Sequence, residues 1–556
     1  MRENNPHLPM AKEYSAYLHD PNAYPPHTKT ANERTKINNS ALTRDEERLL
    51  SEKWNEIEMK NVKNTVYTFK VAEPHKQRCR VVHACHVNEE CKQHKGPTPF
   101  KLNSADEVNK ILQEAAYVTQ FDARSMYDQF TLAEAVAAHF VFRDREGRLV
   151  ALNRLPMGFC YACGIAQSLS LVLTTFSTEN EWYDITCIVH LDNYLFAFNK
   201  KKDANPTHKD LQTVVIKTLS TFLQRTVEVD LQLNEMDREE ITSFMTKNTA
   251  QQWSEIEKLS PKIFTFLGVT YDMQLATRTA AEKTWDKLTT LEKVIFPHGR
   301  MNPSTTPRHL AMIMGVISWI KRMANNRHMF YNLHRNIAEL AYVLWARPEL
   351  WDTPLPELSF MFQEIPELIQ SLRNSPTATI YPSLMPHHET AICISDASKT
   401  GWGAFILIPH RAAWKISIVK GEWPRINNLP DPIFESSTFA EPKAVEQVLQ
   451  KVEFPPFVKH VLFVTDHSPL VAASQSHQAR CFTYFKVLEK LEKQSFTYNM
   501  LFIKGTKNVA DAPSRGQERT VDRRDLERIA AGAGTGYASA LLSPSKEILP
   551  HVVGFV

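Results

Sequence analysis

Two stretches decide how this chain is read: LPMGFCYACGIAQ from Leu155 to Gln167, and IVHLDNYLFAF from Ile188 to Phe198. The second belongs to a β-branched run, ITCIVHL, that is ended by Asp192 and resumes as YLFAF, so it predicts a hairpin with a carboxylate at its tip. Upstream, AAYVTQF reads as a strand that delivers Asp122 at its end. The order is strand, carboxylate, long insert, hairpin carboxylate. Joining a nucleotide to a 3′ end requires divalent cations on both the attacking and the leaving oxygen, and such hard cations take oxygen ligands.

That order resembles the palm of a reverse transcriptase, and the resemblance continues residue by residue. Tyr127, five positions after Asp122, falls where the family keeps a ring under the sugar, which implies selection of deoxynucleotides. Leu155 to Gly158 resembles the LPxG element, with Gln167 closing it at the family's distance. FTFLGVTYD, from Phe264 through Gly268 to Asp272, is similar to the motif that grips the primer. KQRCRVVHACHVN, from Lys76 to Asn88, resembles the fingers segment in which a Lys and an Arg meet the triphosphate. The resemblance assigns Lys76 with Arg78 or Arg80. One position departs: the family's YxDD hairpin here reads His190, Leu191, Asp192, Asn193. An Asn offers a metal one carbonyl oxygen and no charge. The implied metal ligands are Asp122, Asp192 and a neutral Asn193, and the implied polymerase is weakened or inactive.

A second signature lies in the C-terminal part. AICISDASKTGWGAFI alternates apolar and polar residues up to Asp396 and then runs into glycines suited to a tight hairpin. STFAEPKAVEQVL places Glu441 at the start of an amphipathic helix, VLFVTDHSPLVAA places Asp466 at the end of an apolar strand, and NVADAPSR carries Asp511. The set resembles the carboxylates of an RNase H domain in type and order. It implies metal binding by Asp396, Glu441, Asp466 and Asp511, with two Mg²⁺ or Mn²⁺ ions in each active site. The His that often precedes the last Asp is not evident in LFIKGTKNVAD.

Between the two lies IMGVISWIKRM, followed by Arg327, Tyr331 and Arg335, which resembles the connection of retrotransposon polyproteins. Its rings and cations fit either a helix core or a surface tracking a phosphate backbone. The expected fold is therefore multidomain, α+β and α/β: a right-hand polymerase with fingers, palm, thumb and connection, then an RNase H-like α/β domain. Expected boundaries are a polar extension over 1–60 with an amphipathic helix from Leu42 to Met59, fingers and palm over 61–275, thumb, connection and linker over 276–385, the RNase H-like domain over 386–515, and a charged helix with a flexible tail over 516–556.

At 556 residues, 43% hydrophobic and 23% charged, the composition is that of globular domains. The net charge of +3 is too small to argue for nucleic acid; that case rests on local clusters such as Lys76 to Arg80 and Lys200 to Lys202. No apolar run of about 18 residues and no leader is visible, which predicts an intracellular protein without a membrane partner. Eight Cys without a disulfide framework fit reduced thiols. The Cys and His between Cys79 and His94 do not follow the usual zinc spacings, and Cys160 with Cys163 reads as packing. The resemblance as a whole is to the reverse transcriptase and RNase H region of a retrotransposon polyprotein, of the long-terminal-repeat or tyrosine-recombinase kind, the trypanosomal VIPER type included. It implies an RNA template, a DNA primer, RNA–DNA hybrids and deoxynucleoside triphosphates as partners. The other reading is a polymerase-inactive or domesticated copy that cuts hybrids or only binds nucleic acid.

Overall fold

The computed structural model describes residues 5–26, 37–73, 78–113, 115–176, 180–201, 204–323, 336, 340–342, 344–380, 387–410, 413–476, 481–533 and 547–548. Lys76, Lys202, Arg327, Tyr331 and Arg335, together with most of the tail, lie outside them. The chain divides into two compact units, Met1–Phe266 with Tyr271–Ala276, and Leu267–Thr270 with Thr277–Val556. Both mix helices with sheets. Among the described residues no helix is long and apolar enough to cross a membrane.

The first unit contains α1 (Leu8–His19), α2 (Arg44–Leu50), β1 (Trp54–Glu56), β2 (Val66–Glu73), β3 (Arg78–Cys85), α3 (Val87–Cys91), β4 (Ala115–Asp122), β5 (Val141–Arg143), β6 (Leu149–Leu152), α4 (Ala162–Leu173), β7 (Tyr183–His190), β8 (Asn193–Lys200) and α5 (His208–Glu228). Its functional core is an antiparallel sheet in the order β4-β8-β7. In the central strand β8 every residue from Tyr194 to Phe198 is buried, as expected where both faces of a strand are covered. Phe121, Tyr194 and Phe196 share one face and meet Phe222 of α5, with ring centroids 5.0 to 5.5 Å apart. A capping box between Thr207 and Asp210 starts α5.

The turn between β7 and β8 is held from below. Leu191 sits at φ 59, a left-handed conformation that is costly for a bulky side chain. Gln167 of α4 is only 1% exposed, and its amide is fully engaged by the turn. Nε2 donates to the Val189 carbonyl at 3.1 Å and Oε1 accepts the Leu191 N–H at 2.7 Å. The Ser170 hydroxyl lies 2.8 Å from the Leu191 carbonyl oxygen and donates to it.

The N-terminal region differs from expectation. The helix read over Leu42–Met59 covers only α2, capped by Thr43 and Glu46; after a short 3-10 turn the chain becomes β1, which pairs antiparallel with β6. Extension puts Trp54 edge-on against Phe142 at 5.0 Å, a core contact that outweighs local helix propensity. The extension also contains α1, whose Pro9 sits in the first turn, where proline is tolerated, and which buries Tyr14 and Tyr17.

The second unit contains α6 (Glu282–Ile295), α7 (Pro307–Met323), α8 (Ile365–Asn374), β9 (Thr390–Ala397), β10 (Gly401–His410), β11 (Ala413–Glu422), α9 (Ser437–Lys451), β12 (His460–Thr465), α10 (Ser468–Ser476), α11 (Phe482–Glu492), β13 (Thr497–Phe502) and α12 (Asp511–Ser514). β9, β10 and β11 form an antiparallel meander, and β12 and β13 add parallel strands on the other side of β9. Ala440, Ala444 and Val448 of α9 share a core with Cys393, Ala404 and Phe463 of the sheet. In α7, Trp319 is half-buried and Nε1 donates to the Gly268 carbonyl at 3.4 Å, while Lys321 is buried. Burial lowers the Lys321 ammonium to about 8, against an opposing pull from Glu492. Lys321 therefore belongs to the helix core and not to a phosphate-tracking surface, whereas Arg322 is exposed.

Replacing Gln167 by Ala leaves the Leu191 N–H and Val189 carbonyl without their buried partner. The expected loss is about 1–3 kcal/mol of first-unit stability, read as a lower urea midpoint with an unchanged slope.

Candidate active sites

In the first unit, Asp122 ends β4 directly opposite Asn193, the first residue of β8. Asp192 occupies the hairpin tip, and its carbonyl accepts the Ala123 N–H at 2.7 Å. The sheet's own register thus sets Asp122 beside the hairpin tip that carries Asp192. Asn193 donates from Nδ2 to Asp192 Oδ1 at 2.9 Å. Tyr127 lies on a short 3-10 turn, Met126–Gln129, with its hydroxyl 3.4 Å from Cys163 Sγ. Burial, Cys163 and the Asp192 charge push the Tyr127 phenol up, and Arg80 opposes them. Arg80 is also 3.6 Å from Met157 Sδ. Of the two arginines, Arg80 is therefore placed beside Tyr127; the side chain of Arg78 is outside the description.

Gly158 and Gln167 act on the scaffold. A Cβ at Gly158 would stand 1.8 Å from the His83 carbonyl oxygen, so only glycine lets this loop lie on β3. Asn88 locks the loop by donating to the Gly158 carbonyl at 2.8 Å and accepting the Cys160 N–H at 2.9 Å. Gln167 is buried beneath the hairpin tip and holds its backbone. Gly268 adopts φ 81 in the turn of its strand pair, which glycine allows without strain. On β3 and just after it, His83 and His86 face Thr68 and Thr65 within hydrogen-bonding distance.

Two further residues flank Asp122. Asn234 donates from Nδ2 to Asp122 Oδ2 at 2.9 Å, and Glu235 Oε2 accepts the Asp122 N–H at 3.0 Å. Burial raises the Glu235 carboxyl; backbone donors, Asp122 N–H first, offset part of this, and the Asp122 charge adds to it.

In the second unit, the parallel pairing of β9 with β12 sets Asp396 and Asp466 side by side at the same end of neighbouring strands, and α9 lays Glu441 over them. Each offers an oxygen within 4.8 Å of the others. Asp511, at the start of α12, stands outside this trio and pairs with Arg515 at 2.9 Å. Its charge still acts on Asp396 and Asp466.

The trio is electrostatically poised for a cation. Asp396 is raised from 3.8 to about 7, first by burial, then by the Asp466 and Asp511 charges, with Ser514 opposing. Glu441 is raised from 4.5 to about 9 by burial and by the Asp396 and Asp466 charges. Burial is also the main cause that raises Asp466. Glu441 is 6% exposed, and its Oε2 has no hydrogen-bond partner, a costly arrangement that a bound cation would relieve. Hard oxygen donors without a soft ligand suit Mg²⁺ or Mn²⁺.

No protein-family model and no curated protein matches the chain. Among solved structures it is similar to the foamy viral protease-reverse transcriptase in complex with dsDNA, at 15% identity over 82% of this chain and 81% of that one, with a TM-score of 0.40. The dRH form in complex with ds DNA gives 13%, 81%, 67% and 0.40 in the same order. The form in complex with RNA/DNA hybrid gives 12%, 88%, 58% and 0.40. At that distance the functional reading is left to the side chains.

Two neutral donors around Asp396 are invisible to a search for carboxylates. Asn508, 2% exposed, donates from Nδ2 to Asp396 Oδ1 at 3.2 Å and to the Ser395 carbonyl at 3.0 Å. The Ser514 hydroxyl donates to Asp396 Oδ2 at 2.7 Å. Both lie in the NVADAPSR segment, Asn508 three positions before Asp511. A Cβ at Gly505 would be 2.8 Å from Asp466 Oδ2, so the turn before the motif packs directly on the site.

A carboxyl raised in the folded state stabilises the fold while protonated and loses that contribution as pH rises through its folded value. The metal-free protein should therefore lose thermal stability between pH 4.5 and about 9, the interval set by Glu441. Glu441→Gln should flatten this loss and melt a few degrees higher than the parent at the alkaline end. Adding Mg²⁺ should raise the midpoint of the parent and not of the variant. Differential scanning calorimetry across that range checks all three.

Proposed function

We propose that the chain is an RNA-directed DNA polymerase of retrotransposon type that also cleaves the RNA strand of RNA–DNA hybrids. The observation that carries the proposal is the convergence of Asp396, Glu441 and Asp466 with an unpartnered buried oxygen on Glu441. It is a centre built for divalent cations, and hydrolysis of a phosphodiester is the chemistry such a centre performs. Asp122, opposite Asn193 in the sheet register, with Asp192 at the adjoining hairpin tip and Tyr127 close by, supports the polymerase half.

When bound, Mg²⁺ or Mn²⁺ supplies Lewis-acid stabilisation of charge on the phosphoryl oxygens and makes a nucleophile available at neutral pH. The chain's residues do the rest. Asn508 and Ser514 fix the Asp396 carboxylate by donating to both oxygens, so that it needs no reorganisation when charge develops. Ala397 N–H, 3.2 Å from Glu441 Oε1, orients that carboxylate. Arg515 holds Asp511 at the rim. In the palm, Asp122 and Asp192 would hold the cations, Arg80 would meet the triphosphate, and the Tyr127 ring would exclude a 2′-hydroxyl.

A second reading, a hybrid nuclease on an inactive palm, is favoured by Asn193. Its amide occupies one oxygen of Asp192 where a third carboxylate is expected.

The test is Mg²⁺-dependent extension of a primed RNA template by the purified chain, with RNA cleavage of the hybrid followed in the same reaction. Extension lost in Asp192→Ala and cleavage lost in Asp466→Ala, each by roughly three orders of magnitude or more, is the expected pattern. Cleavage without extension in the parent supports the second reading, and neither activity refutes both.

A further inference from the structure

Asp122 is flanked differently on its two sides. Toward β8 it faces Asn193 in the ladder. The Asp122 N–H and C=O point the other way, so this is a pair of the kind not bridged by backbone hydrogen bonds, in which opposed side chains stand close together on one face. The neutral amide thus lies at Asp122's shoulder, where the YxDD pattern would put a carboxylate.

On the other side, Gln232 to Asn234 pairs with Asp122 to Arg124, at the end of β4. The Arg124 N–H reaches the Gln232 carbonyl at 2.9 Å, Ala123 bridges Leu233 antiparallel, and the Asn234 N–H reaches the Asp122 carbonyl at 2.8 Å. This pairing fixes Glu235 at the strand end, where Oε2 accepts the Asp122 N–H at 3.0 Å. Glu235 is only partly buried, so its carboxylate is both anchored and within reach of the Asp122 charge.

We infer that Glu235 is the third acidic group of the palm centre, displaced from the β8 flank of Asp122 to its open flank. It is a positioning residue: it orients Asp122 through the backbone and supplies the negative charge that Asn193 lacks. The inference rests on the polymerase reading of the first unit, and the experiment separates the two.

Glu235→Gln keeps the acceptor for the Asp122 N–H and removes only the charge. Asn193→Asp returns a charge to the opposite flank. Both are made in a chain carrying Asp396→Ala and Asp466→Ala, which silences the nuclease centre, with Asp122→Ala as the baseline. Mn²⁺ affinity is measured by electron paramagnetic resonance and primer extension in parallel. Glu235→Gln should lower affinity and extension by roughly tenfold to a hundredfold, and adding Asn193→Asp should recover most of both. Parental Mn²⁺ affinity in Glu235→Gln, or a loss that Asn193→Asp does not recover, overturns the inference. Mn²⁺ affinity that follows the swap while no variant and no parent extends a primer supports Glu235 and overturns the polymerase reading.

Discussion

Carboxylates gathered in a buried space lose hydration and repel one another, and this is the constraint around which the second unit's centre is built. Each would be more stable ionised and apart, or protonated and together. In the second unit the fold imposes the costly option. β9 is paired on both sides, and every residue from Thr390 to Asp396 is buried. Asp396 cannot swing away without disturbing the central strand of the sheet. Burial first, and the neighbouring carboxylates second, make Asp396 and Glu441 reluctant to ionise.

The local remedies are neutral. Asn508 and Ser514 donate to Asp396 without bringing a positive charge, so they orient the carboxylate and leave its demand for a cation intact. Arg515 is kept on Asp511, outside the trio. A cationic side chain among Asp396, Glu441 and Asp466 would stabilise the metal-free fold and compete with any ion. Placing donors inside and the cation at the rim is how a scaffold keeps such a centre both folded and receptive.

Much of this was readable in the chain because strands ended by a carboxylate announce themselves. Asp122, Asp192, Asp396 and Asp466 each follow an alternating or β-branched run, and the helix bearing Glu441 shows its periodicity. The supporting groups did not announce themselves. Glu235 meets Asp122 across 113 positions and Asn508 meets Asp396 across 112, contacts that no local pattern encodes. Gln167 was visible as a motif residue, yet its task of holding a left-handed Leu191 emerges only when α4 is laid under the hairpin. The stretch from Leu42 to Met59 was misread as one helix because Trp54 is claimed by Phe142, a tertiary contact. Lys321 was ambiguous for the reason amphipathic helices always are: a cation at the edge of the apolar stripe fits either side.

The two candidate sites differ in how their acids are placed. In the second unit three carboxylates are concentrated in a buried space, an arrangement a cation would ease. In the first unit Asn193 stands opposite Asp122 and donates to Asp192. Glu235 stands just past the end of β4, half-buried, with its carboxyl raised by that burial. The bond from the Asp122 N–H to Glu235 ties two acids of the first unit together through the backbone, so the orientation of one cannot change without disturbing the other.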